Sequence, residues 1–248
     1  MEQPENCCCK KSNFSVGLII AIGLILASAI FGFAFYQSRN IDDALQVTGS
    51  ATKTITSDLV KWNSGFSRNI GVNDLKSGYL QMASDLAKVK DFFKGEGIED
   101  GSIDTSPIYM DQQYDYSKGG SNLNGYVLRQ TIQIQSNDIE KITNLAKDTQ
   151  KLIEQGVVFS TQSLEYYYSK LPETRVELLA DAVKDAQARA EKIAQSSGKQ
   201  VGALKSASVG VVQVLPKNSV DVSDYGTYDT TSIEKEVMIT VRANFRIK

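Results

Sequence analysis

The sequence predicts an α+β fold of two layers, with antiparallel or mixed sheets packed against about three helices and one transmembrane helix ahead of them. Three observations predict it. Residues 14–36, FSVGLIIAIGLILASAIFGFAFY, run without a charged side chain. Several later stretches place apolar residues at every second position, the period of a half-buried strand. Between them, other stretches repeat apolar residues every three or four positions and stop at a glycine, as amphipathic helices do.

The uncharged run would span about 35 Å as a helix, enough to cross a hydrocarbon core of roughly 30 Å. Lys10 and Lys11 precede it and only Arg39 closely follows. The positive-inside bias therefore makes 1–13 a cytoplasmic tail, 14–36 the span, 37–43 a linker and 44–248 an extracytoplasmic ectodomain. A cleaved signal peptide is the rival, since Ala27-Ser28-Ala29 has the small-x-small form of a cleavage site. The apolar run continues past it through Phe31, Phe33, Phe35 and Tyr36, which favours a retained anchor. Gly17 with Ala21, Gly23 with Ala27 and Ser28 with Gly32 would permit close helix contact in a bilayer. All cysteines, Cys7, Cys8 and Cys9, fall in the tail, so the ectodomain has no disulfide. A reduced, unstructured tail is the simplest expectation; lipidation or a metal shared between tails are the functional ones, and adjacent cysteines lack zinc-site spacing.

In the ectodomain, Leu45, Val47, Ala51 and Ile55 outline a first strand interrupted by Gly49. Thr56-Ser57-Asp58 has turn chemistry, and Val60, Trp62 and Phe66 mark a second strand, together suggesting an antiparallel hairpin with Trp62 in the core. Asn73-Asp74 supplies an N-cap for a helix carrying Leu75, Tyr79, Leu80, Met82, Leu86, Val89 and Phe93, stopped by Gly95 and Gly97. A strand over 106–116 follows, then a mobile loop over 117–125, then a strand through Tyr126, Leu128, Thr131, Ile132 and Ile134. Asn137-Asp138 caps a second helix with Ile139, Ile142, Leu145, Ala146, Leu152 and Ile153 on one face, ended by Gly156 and followed by a strand over 157–168. Both passes run strand, Asn-Asp cap, helix, glycine and a tyrosine-ended strand, which suggests an internal duplication. The longest helix covers 172–197, with a seam of Val176, Leu179, Val183, Ala186, Ala190 and Ile193, an Asp185–Arg189 pair on its solvent side and Gly198 as terminator. Val209 to Leu215 form a strand stopped by Pro216, and 217–231 a polar loop. The last strand points Val237, Ile239, Val241, Ala243, Phe245 and Ile247 one way and Glu236, Thr240, Arg242, Asn244 and Arg246 the other.

From Asn40 onward 24 Lys and Arg face 27 Asp and Glu without long runs of one sign, which argues against nucleic acid and gives no polybasic footing for anionic lipid. The chain has no histidine, which removes the commonest general base and most zinc sites. Gly95-x-Gly97 closes a helix instead of opening one, so it is no phosphate cradle. No cofactor, metal site or catalytic residue is expected, and the protein is read as no enzyme. Glu99 with Asp100, Asp221 with Asp224, and the Asp111 to Asp115 region read as solvated surface; a carboxylate-dependent hydrolase would need two acids facing a cleft. Tyrosine is the one enrichment, 11 in all. Tyr109, Tyr114, Tyr116, Tyr166 and Tyr168 are the candidate ligand or partner surface, with ordinary strand packing as the competing role.

Four pieces in order carry a family resemblance over about 45–247: the Val47-Thr48-Gly49-Ser50-Ala51 strand; Gly125-Tyr126 with Asn137-Asp138; the helix segment Ala182-Val183-Lys184-Asp185-Ala186 through Ala194 with Gly198 and Gly202; and the closing alternating strand. The chain resembles SIMPL-domain proteins, the group that contains bacterial periplasmic immunogenic proteins. The resemblance implies an α+β protein of the cell envelope, here anchored in the inner membrane, that forms ring-like or channel-like homo-oligomers with links to envelope or oxidative stress. It carries over no catalytic position. The retained anchor and the cysteine tail depart from a freely soluble periplasmic particle. The reading is thus a membrane-anchored assembly protein, with a binding module for a small apolar or sugar ligand as the alternative and a carboxylate hydrolase behind both.

Overall fold

The structure, a computed structural model, describes residues 14–39, 44–116, 121–219 and 221–248. The tail with Cys7, Cys8 and Cys9, and the start of the expected loop at 117–120, lie outside the described residues. The chain divides into two compact units: Met1–Val47, Gln187–Ala207 and Ala243–Lys248 form one, Thr48–Ala186 and Ser208–Arg242 the other.

In the first unit, α1 (Phe14–Arg39) is one continuous helix. Its segment Gly17–Gln37 is long and apolar enough to cross a membrane, and none of it is buried. Side chains such as Phe31, 74% exposed, are not covered by the described residues, as suits a membrane span or a signal sequence and not a core helix. Ser28 donates to the Ile25 carbonyl at 2.9 Å, which satisfies the hydroxyl inside its own helix.

The second unit holds a five-stranded antiparallel sheet. Its order is β3 (Ile103–Thr105), β5 (Asn122–Ser136), β2 (Leu59–Gly71) and β6 (Val158–Tyr167), and β4 (Tyr109–Asp115) also pairs with β5. Helices α2 (Leu75–Gly95), α3 (Ile139–Lys147) and α4 (Gln150–Glu154) pack on one face. Chain order and sheet order together are those of a split β-α-β unit: strand, helix, strand, then strand, helix, strand. This arrangement agrees with the two passes read from the sequence. Trp62 is fully buried at the centre, edge-on to Phe93 at 5.5 Å and to Phe159 at 6.0 Å. Asp85 of α2, 1% exposed, is held by a two-pronged ion pair with Arg68 of β2, whose Nη2 also donates to the Gly156 carbonyl at 3.3 Å.

A four-stranded sheet contains β1 (Ala44–Thr56), β9 (Glu234–Ile247) and β7 (Val201–Val209) in that order, with β8 (Gln213–Pro216) on β9. The long helix α5 (Leu171–Ser196) buries Leu171, Thr174, Leu178, Ala182, Ala186, Ala190 and Ala194, an i, i+4 stripe of small residues. Gly49 of β1 meets this stripe backbone to backbone: a Cβ there would lie 2.8 Å from Ala186 Cα.

Several expectations are corrected. The first two strands form no hairpin, because β1 and β2 lie in different sheets. The corner at Ser57-Asp58 is tied to other segments: Ser57 N–H donates to the Ile233 carbonyl and Asp58 N–H to the Tyr167 carbonyl, while the Asp58 carboxylate accepts from Ser169 N–H and hydroxyl at 2.8 and 2.6 Å. Asp74 makes no side-chain cap, whereas Asp138 accepts from Lys141 N–H at 3.0 Å. The second helix is two, broken at Asp148, so four helices rather than three are described after α1. The strand expected over 106–116 is β4 and starts only at Tyr109, beyond Pro107, which has no N–H to give; a separate short strand, β3, ends at Thr105, and Ser106 bridges the gap between them by accepting from Thr131 N–H through its hydroxyl. The strand expected over 209–215 is two, β7 ending at Val209 and β8 starting at Gln213. Of the expected loop 117–125, residues from Asn122 onward belong to β5. In α5 the seam is rotated: Val176 and Ile193 are exposed, and Asp185 accepts from Ser50 N–H at 2.8 Å. Glycine termination is borne out at Gly97, Gly156 and Gly198, all with positive φ, each placed where the N–H groups of the glycine and its successor return to the last helical turn.

Candidate functional site

Strand alternation gives the five-stranded sheet two chemically different faces. Trp62 and Phe66 of β2 point under the helices, so Lys61, Asn63, Gly65, Ser67 and Asn69 point to the opposite face. Across from them β5 contributes Arg129, Thr131, Gln133 and Gln135. The register between β2 and β6 slips at Asn63/Ser64, leaving Gln162 as an extra residue. Its amide lies over Gly65, where a Cβ would be 2.9 Å from Nε2 and 2.9 Å from the Gln130 carbonyl oxygen. The result is a polar groove of about 700 Å³ with Gly65 at its floor, lined by Ser67, Asn69, Arg129, Gln162 and Tyr109 among others. Arg129 Nε faces Asp111 Oδ2 at 3.5 Å across the rim, with both side chains largely exposed.

Beside the groove lies a fixed hydrogen-bond cluster. Glu165 accepts from Tyr167 OH at 2.6 Å, Ser163 hydroxyl at 3.0 Å and Asn63 Nδ2 at 3.2 Å. The Tyr167 hydroxyl holds the Glu165 carboxyl below its ordinary value, helped by Ser163, against the opposing effect of burial. The carboxylate in turn raises Tyr167 to about 12, so this phenol stays protonated. The Tyr167 ring packs on Tyr228 at 5.9 Å, and Tyr228 OH accepts from Tyr168 N–H at 3.2 Å. Such a surface offers amides, hydroxyls and one guanidinium to a polar ligand.

The five tyrosines singled out in the sequence do not form one surface. Tyr109, 59% exposed, lines the groove. Tyr114 and Tyr116 are exposed farther along, with ring centroids 6.4 Å apart and Tyr114 OH donating to Gln112 Oε1. Tyr166 is in the core, 6% exposed, with its hydroxyl 3.0 Å from that of Thr143. Tyr168 is half-buried and accepts from the Thr174 hydroxyl at 3.4 Å. β4 and β6 lie on opposite edges of the sheet with β5 and β2 between them, about 14 Å apart at the usual strand spacing, which separates the two groups. The residues that do share the groove, Ser67, Asn69, Arg129 and Gln162, were not singled out; the alternation of polar residues from Lys61 to Asn69 is the sequence signal for their face. Glu99, Asp100, Asp221 and Asp224 are exposed. Among the described residues no group of three or more His, Cys, Asp or Glu is placed to hold a metal ion.

A second electrostatic feature is structural. Lys235, fully buried on β9, donates to the Asp229 carbonyl at 2.5 Å and lies 3.5 Å from its carboxylate. Burial pushes Asp229 up, but donors from Thr231 and Ser232 and the Lys235 charge outweigh it and bring it down to about 2. Burial lowers Lys235, with Asp229 opposing.

The family model described as SIMPL, protein of unknown function (DUF541), matches residues 45–247. The chain is also 25% identical over 185 residues to the uncharacterized protein YggE of Edwardsiella ictaluri (strain 93-146), covering 74% of this chain and 76% of that protein. The match begins one residue after the start of β1 and ends with β9, taking in both sheets, every helix after α1 and the polar groove, and on that extent the chain belongs to the SIMPL family.

Proposed function

We propose that the protein is held in the cell membrane by α1, with its folded domain on the extracytoplasmic side, and acts there by assembly with copies of itself, without a catalytic centre, in defence of the envelope against stress. The observation that carries the assembly reading is β7. It is an edge strand nine residues long, exposed at every position from Ala203 to Val209, and Lys205 is its single charge. An edge of that length and composition offers a row of backbone donors and acceptors to another strand. Anchoring in a plane raises the local concentration of such edges.

The test uses the full-length chain with Cys7, Cys8 and Cys9 replaced by serine and single cysteines introduced along 203–209, for example Leu204→Cys. Oxidation in isolated membranes is expected to give disulfide-linked dimers at some of these positions, and an impermeant thiol reagent should label them from outside the membrane. Cross-linking no greater than that of Glu99→Cys at every position would remove the assembly reading.

The groove over Gly65 favours a second reading, a module for a small polar ligand such as a sugar, bound by Asn69, Arg129 and Gln162 with Tyr109 at the rim. Millimolar neutral mono- and disaccharides should then raise the melting temperature of the chain, and Gly65→Val, which fills the floor, should abolish the rise. A flat response across such sugars in the unsubstituted protein contradicts this reading.

A further inference from the structure

Charges that are scattered along the chain are sorted by its fold. From Ala44 onward, the first unit carries Arg189, Lys192, Lys199, Lys205, Arg246 and Lys248 against one acid, Glu191. The second unit carries 18 Lys and Arg against 24 Asp and Glu. The excess of acid in the ectodomain thus conceals one unit of strongly positive sign. All six basic residues are exposed. Backbone bonds bring Lys199 and Lys248 together: Gln200 and Lys248 exchange N–H···O bonds of 3.0 and 2.9 Å, and Lys199 N–H returns to the Ala194 carbonyl at the end of α5. Asn244 Nδ2 donates to the Ser206 hydroxyl at 2.8 Å, and Gly202 lies 3.3 Å, measured from a Cβ placed on it, from the Arg246 carbonyl oxygen. Ile193 and Leu204, 47% and 45% exposed, add apolar surface to the same unit.

This unit also contains the first residues of β1, and Ala44 is five residues beyond Arg39 at the end of α1. Five residues reach at most about 17 Å. If α1 crosses a membrane, the start of β1 is therefore held within that distance of its surface. We propose that the basic unit docks on anionic phospholipid headgroups of the membrane that α1 spans; the proposal rests on the anchored reading above. The occupant follows from charge complementarity and from the tether: the nearest extended anionic surface is the membrane itself, and tethering makes even weak attraction effective. The same surface repels the excess acid of the second unit. No conflict with the positive-inside bias arises, because that bias is set by charges near the span in sequence, whereas these six lie between 189 and 248 and come into one unit only on folding.

The full-length chain, with Cys7, Cys8 and Cys9 changed to serine, is reconstituted in vesicles and labelled with a fluorophore through Leu204→Cys or, as a control, Glu99→Cys. Alkaline carbonate is applied first: release from vesicles overturns the anchored reading, whereas retention leaves the docking to be judged separately. In vesicles with about 30% phosphatidylglycerol, a headgroup-linked quencher should dim the label at position 204 at least threefold more than in pure phosphatidylcholine, and about 0.5 M salt should reverse it. The combined change Lys192→Gln, Lys199→Gln and Arg246→Gln should remove the difference with the melting temperature held; its charge-reversed Glu version should do so more strongly. Equal quenching in both lipids, or a difference that survives salt or these changes in folded protein, overturns the docking. So does a label that ignores anionic lipid yet responds to soluble polyphosphate.

Discussion

Lys235 and Asp229 give the clearest case of chemistry hidden at the scale of one residue. Lys235 continues the buried series Val237, Ile239, Val241 on β9, so its charge enters the interior and must be met there. Asp229 meets it while also accepting from Thr231 and Ser232. Because the folded carboxyl titrates at about 2, against 3.8 without these donors, the unfolded chain takes up a proton first as pH falls. Stability from this group is complete above about pH 5 and is lost between there and about pH 2, to the extent of about 2 kcal/mol. Chemical denaturation of the wild type and of Asp229→Asn across that range should converge as pH falls; parallel curves would show that Asp229 is not the group responsible. A reader of the sequence sees Lys235 as one more polar residue before the last strand, since only tertiary placement shows which face it continues. Tyr166 errs the other way: three tyrosines in a row look like a surface, but alternation sends the first into the core.

At the scale of elements, local patterns located the secondary structure well and its partners less well. The periods of β1, β2, β5 and β9 and the glycine stops of α2, α4 and α5 are local properties, visible in short windows. The false hairpin came from a short turn between two long strands, which specifies proximity of their ends but not pairing. The ties of Ser57 and Asp58 to Ile233, Tyr167 and Ser169 are more than a hundred residues away in sequence, beyond any local signal. The rotated seam of α5 has a similar cause. Alanine is weakly apolar, so Val176 and Ile193 dominated the pattern, whereas close approach to Gly49 selects the smallest side chains. That packing predicts opposite effects for two glycines. Gly49→Val drives a side chain into the backbone of α5 and should cost about 3 kcal/mol. Gly95→Ala meets nothing within 4 Å inside α2 and should stabilise by about 0.5 kcal/mol. Denaturant titration of both variants decides the matter; a neutral Gly49→Val would contradict the close approach.

On the scale of the whole molecule, the reading depends on what the described residues of one chain leave open: an exposed apolar helix, an exposed strand at a sheet edge, and a unit whose charge opposes that of the rest. The first was legible because hydrophobic length is a property of consecutive residues. The edge and the charge sorting were not, since both depend on which distant segments the fold brings together. The polar groove has the same origin, built by β2, β5 and β6 from residues unremarkable one by one. Assembly in the membrane is the central claim, and the mass of the full-length protein in mild detergent, by light scattering over a tenfold range of concentration, tests it most directly. The account predicts one discrete oligomer throughout that range and its conversion to a smaller species by Leu204→Lys. A monomer at every concentration would contradict it.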